Sequence, residues 1–78
     1  MGLQRATGVF GVISSAGFPV DLLSRTEPGR PGTYFQIVVQ LEGLSEVDLQ
    51  QLLEICQQNA IGLKMTSDGT ALLDDRAD

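Results

Sequence analysis

The sequence predicts an α+β domain, two amphipathic helices laid on one face of a small antiparallel sheet. Two apolar spacings carry the helices. Val9, Val12, Ile13 and Ala16, and later Leu49, Leu52, Leu53 and Cys56, each fall at i, i+3, i+4, i+7, which gathers each quartet on one helical face. Between them Phe35, Ile37, Val39 and Leu41 alternate, as one face of a strand does.

The first helix is expected over Gly8 to Ala16, with Thr7 as its N-cap and Gly17 as the left-handed residue that closes it. Gly8, Gly11 and the β-branched Val9, Val12 and Ile13 weaken it, each interior glycine by about 1 kcal/mol relative to alanine. A competing reading makes Val9 to Ile13 a strand that turns at Ser14 to Gly17. Phe18 to Ser24 follows as an irregular strand with Val20 and Leu22 on one side and Asp21 and Leu23 on the other, and Pro19 confines its start to an edge.

Glu27 to Thr33 packs two prolines and two glycines into seven residues and reads as a turn or mobile loop. Tyr34 to Leu41 returns as the clearest strand, with Gln36, Val38 and Gln40 on its other face. Ser45 and Asp48 approximate a capping box, and Glu46 and Asp48 complement the helix dipole, so the second helix starts there and runs to about Cys56. Gln50, Gln51, Glu54, Gln57 and Gln58 form its solvated side. Leu63 to Thr66 and Thr70 to Leu73 flank Ser67-Asp68-Gly69, a hairpin signal that lets the last strand double back. Asp74 to Asp78 reads as a frayed, charged terminus.

Composition bounds the function. A chain of 78 residues is one domain, residues 1–78, with a small core, and 42% hydrophobic with 19% charged residues is ordinary for a folded one. Net charge is −5, and the five basic residues form no run, which argues against nucleic acid as a partner. The chain has no histidine, which removes Ser-His-Asp and Cys-His catalysis and His-based metal sites together. Cys56, the one cysteine, can form neither an internal disulfide nor a cysteine cluster, and it reads as a buried small hydrophobe. No segment approaches a membrane span, and Met1 to Thr7 lacks the pattern of a secretory signal, so no membrane association and a cytoplasmic location are expected.

The order helix, strand, Pro/Gly turn, strand, helix, strand is that of a ferredoxin-like βαββαβ sandwich with a truncated or missing first strand. Within it, Arg5-Ala6-Thr7-Gly8-Val9-Phe10 and the later Gly17-Phe18-Pro19-Val20 carry a turn into a helix that closes on a glycine-apolar pair. This cadence, with Gly43-Leu44-Ser45 opening the second helix, resembles the ACT domain family, as in acetolactate synthase regulatory subunits and glycine-cleavage repressors. The resemblance spans about residues 5–65. Arg5 stands where that family prefers Asp or Asn, Thr7 replaces its proline, and Pro19 replaces its asparagine.

The resemblance implies a non-catalytic regulatory module that self-associates and binds a small amino acid as effector. It implies Arg5, Ala6, Thr7, Gly8, Phe18, Pro19 and Val20 as the effector-binding residues. From the residues alone, Gly8 at a helix N-terminus offers free N–H groups to a carboxylate, or else merely permits the turn. The alternative function is a stand-alone adaptor or inhibitor that docks on a larger protein through a sheet edge or a helix face. No cofactor is implied, and no pair of carboxylates has a spacing that demands acid and base roles, so no enzyme activity is expected. With so few residues ahead of the first helix, the sheet is expected to have an open edge beside its main strand. That edge predicts a homo-oligomer or a protein partner near Arg5 to Gly8 and Phe18 to Val20.

Overall fold

A computed structural model describes residues 1–26, 28–29 and 31–75. In chain order the elements are α1 (Leu3–Ser15), β1 (Val20–Arg25), β2 (Tyr34–Gln40), α2 (Glu46–Gln58), β3 (Gly62–Met65) and β4 (Thr70–Asp74). The strands form one sheet in the order β1-β2-β4-β3, every neighbouring pair antiparallel. The α+β class with two helices and an antiparallel sheet is therefore the observed one.

The expected gap in the sheet does not exist. β4 pairs with β2 from Ile37↔Leu73 to Gln40↔Thr70, so the chain's last strand occupies the slot beside the main strand. Met1 continues that slot. The Phe35 N–H donates to the Met1 carbonyl at 2.7 Å and the Met1 ammonium donates to the Phe35 carbonyl at 2.8 Å, two residues beyond the last β4 pair. The same ammonium lies 3.5 Å from Asp74 and 3.3 Å from Asp75. Asp74 thus belongs to β4 rather than to a frayed end, while residues 76–78 lie outside the described residues.

Residues 8–15 are helical and Ala16 is the C-cap, which decides between the two readings, but α1 starts five residues earlier than expected. Gly2 is its N-cap, without a side-chain bond, and Thr7 lies inside the helix with its hydroxyl donating to the Leu3 and Gln4 carbonyls. Anchoring of Met1 in the sheet sets that start. The buried stripe is Ala6, Val9 and Ile13, whereas Val12 and Ala16 of the expected face are exposed. Phe18 is buried within the same chain.

The Ser45 capping box forms in full: Asp48 N–H donates to Ser45 Oγ and Ser45 N–H to Asp48 Oδ2, both at 3.2 Å. α2 buries Leu52, Ile55 and Cys56, and Leu53 faces outward. The Asp-Gly hairpin joins β3 to β4, with Gly69 at φ 84°, a conformation other residues rarely adopt. Of the expected 27–33 loop, Glu27 and Arg30 lie outside the described residues, and the others are exposed.

Alternation along the paired strands gives the sheet two faces. Ile37, Val39 and Leu73 point to the helices and, with Ala6, Val9, Ile13, Leu52, Ile55 and Cys56, make the core. The opposite face carries Asp21, Leu23 and Arg25 of β1, Gln36, Val38 and Gln40 of β2, Leu72 of β4 and Lys64 of β3. No helix covers it among the described residues.

Candidate functional site

The residues expected to frame an effector fall at the two ends of α1. Arg5, Ala6, Thr7 and Gly8 lie in its first two turns, and Phe18, Pro19 and Val20 follow its C-terminus, about 15 Å of helix axis away. Gly8 is interior to the helix, so the expectation of free N–H groups there is corrected. Ala6 is fully buried under the helix and Phe18 is in the core.

Arg5 already has partners. Its guanidinium donates to the Asn59 and Ala60 carbonyls at the end of α2 and lies 3.6 Å from an Asp75 oxygen. A cation among the last carbonyls of a helix is favoured by the helix dipole. The arginine ties α1, α2 and the end of β4 together.

A different feature stands out beside β3. Leu41, Leu49, Leu52, Leu53, Leu63 and Met65 line a groove of about 140 Å³ between α2 and the sheet edge. Every lining side chain is apolar, and two of them are open to solvent: Leu53 is 47% and Met65 60% exposed. β3 ends the sheet, so one side of its backbone has no strand partner among the described residues. Along α2, Gln50, Glu54 and Gln57 are helical neighbours of Leu53 and Glu46 of Leu49, which makes the helical rim acidic and amide-rich.

The uncovered sheet face holds a second hollow, of about 350 Å³. Its floor is Leu23, Val38 and Leu72, and its rim includes Asp21, Arg25, Gln40, Thr66, Asp68 and Thr70. The Thr70 hydroxyl donates to Asp68 Oδ1 at 2.7 Å and Thr66 donates to the same oxygen, binding the hairpin turn to itself. Hydrogen bonds from Thr66 and then Thr70 hold the Asp68 carboxyl below its ordinary value. Nearby, Gln36 is only 8% exposed; its amide nitrogen donates to Asp74 at 2.6 Å, and its Oε1 has no partner among the described residues.

Burial pushes the Cys56 thiol up, away from the thiolate a nucleophile needs. Among the described residues no group of three or more His, Cys, Asp or Glu side chains could hold a metal ion, and no helix is long and apolar enough to cross a membrane.

The sequence pattern puts Leu49, Leu52 and Leu53 on one helical face, Leu41 on the alternating face of the main strand and Leu63 in the hairpin, and nothing in it joins them into a groove. The usable signal was width: Leu49, Leu52, Leu53, Ile55 and Cys56 are more apolar positions than one buried stripe needs. Comparison of the chain with protein families, with curated proteins and with solved structures finds no match.

Proposed function

We propose that this chain is a small non-catalytic interaction module, an adaptor whose β3 edge and α2 groove receive an extended segment of a protein partner. The groove beside an unpaired strand edge carries this reading. A strand added to β3 gains main-chain hydrogen bonds, and its alternate side chains fall over Leu63 and Met65 towards Leu49 and Leu53. The occupant is an extended segment that alternates apolar residues with Lys or Arg. Apolar positions match the all-apolar lining; the basic ones point to the opposite face of the sheet, away from the groove, and match the net charge of −5.

The ACT-type reading, in which the module also binds an amino acid, draws its support from the sequence cadence. The strand order is compatible with a ferredoxin-like sandwich whose first strand has been replaced, in its central slot, by the chain's last. The separated positions of Arg5 to Gly8 and Phe18 to Val20 give the effector less support than the groove gives the partner.

The test is titration with a blocked ten-residue peptide alternating Leu or Val with Lys, beside a scrambled peptide and one with Glu for Lys. Binding by the first alone, abolished in Leu53→Glu and Met65→Glu, is expected. Equal response to all three, or binding that survives both substitutions, would refute the docking site.

A further inference from the structure

The uncovered face of the sheet has a charge order that matches itself. The strand registers place Asp21 opposite Val38, Val38 opposite Leu72, and Leu72 opposite Lys64, one row across all four strands. An anion stands at one end, a cation at the other, and two half-buried apolar side chains lie between them. Neither Asp21 nor Lys64 has an ion pair or side-chain hydrogen bond among the described residues.

We propose that a second copy of this chain packs on this face, sheet against sheet, about a two-fold axis running along the strands between β2 and β4. Such an axis reverses the strand order, so that β1 of one protomer lies over β3 of its partner and β2 over β4. Asp21 then faces a lysine at position 64, and Val38 faces a leucine at position 72, at both ends of the row. In the next row Leu23 lies over Gly62, where the absence of a side chain leaves room for it, since Leu23 pairs with Gln36 and Gly62 with Asp74.

The charges select this axis over the other in-plane choice. A two-fold perpendicular to the strands would stack β1 on β1 and bring Asp21 against its own copy. The like-charge cost would add to the repulsion of two chains of net charge −5. Sheets packed face to face lie about 10 Å apart, a spacing that valine and leucine side chains from both sides fill. Four short strands make a small interface, so the dimer is a weak one that depends on concentration and loosens with salt.

The experiment is sedimentation equilibrium of the whole chain over a concentration series, for wild type, Asp21→Lys, Lys64→Asp and the double exchange. Both positions are exposed, so the substitutions leave the core intact. Each single exchange sets like charges face to face and should weaken the dimer about tenfold or more, while the double exchange restores it to within about threefold. Leu53→Glu, on the opposite side of the sheet, should leave the dimer unchanged. A wild type that stays monomeric at millimolar concentration, indifference to the single exchanges, or failure of the double exchange to restore would each overturn the proposal.

Discussion

Leu52 and Leu53 are neighbours in the chain with opposite surroundings: Leu52 is fully buried against the sheet, and Leu53 is 47% exposed at the lip of the β3 groove. A helix turns about 100° per residue, so one side chain anchors the core while the next meets solvent. Core packing and groove lining at the surface thereby fall to adjacent positions. Leu52→Ala should cost about 2 to 5 kcal/mol, and Leu53→Ala less than about 1 kcal/mol, in denaturant unfolding. Equal costs would mean that the groove is closed in solution.

Gly8 and Gly11 lie inside α1, and a Cβ built at either meets no atom within 4 Å. Neither has a positive φ. Gly8→Ala and Gly11→Ala should each raise stability by about 0.5 to 1 kcal/mol, because alanine restricts the unfolded chain and fits the helix. Destabilisation by either would show that the helix is crowded on that face.

The capping box offers a local test. Ser45→Ala removes the acceptor for the Asp48 N–H and should cost about 0.5 to 2 kcal/mol, with the loss confined to α2 in residue-resolved exchange. A neutral result would mean that water replaces the cap without penalty.

Much of this fold is local enough to read from the chain. Ser45 and Asp48 sit three residues apart and satisfy each other, and Asp68-Gly69 needs only glycine's positive φ to reverse the strand. What local pattern cannot supply is the partner of β2. That slot is filled by residues 30 to 36 positions away and extended by Met1, so both the start of α1 and the closure of the sheet depend on long-range pairing. The apolar frame of α2 was ambiguous for a related reason. Leu49/Leu52/Leu53/Cys56 and Leu52/Ile55/Cys56 are both helical stripes, and only the position of α2 near the sheet edge leaves Leu53 outside. The groove was hidden in the same ambiguity.

Asp68 sets a pH dependence. Its carboxyl is held below the ordinary value near 3.8 by the Thr66 and Thr70 hydroxyls, so the ionised form is the one the folded hairpin favours. The resulting stabilisation is present above the unfolded value and is lost as pH falls through the folded one. Asp68→Asn should therefore narrow its stability gap to wild type on acidification, and the gap should be small and salt-sensitive because the carboxylate is exposed. A gap that widens as pH falls would contradict the assignment.

Amide hydrogen exchange along β3, with and without the alternating Leu/Lys peptide, tests the docking edge most directly. In the free chain, the β2 and β4 amides should be protected and alternate β3 amides should exchange fast, because one side of that strand faces solvent. Saturating peptide should slow those β3 amides and leave the edge of β1 unchanged. Uniform protection of β3 without peptide, or bound peptide that leaves β3 exchange as it was, would contradict the account.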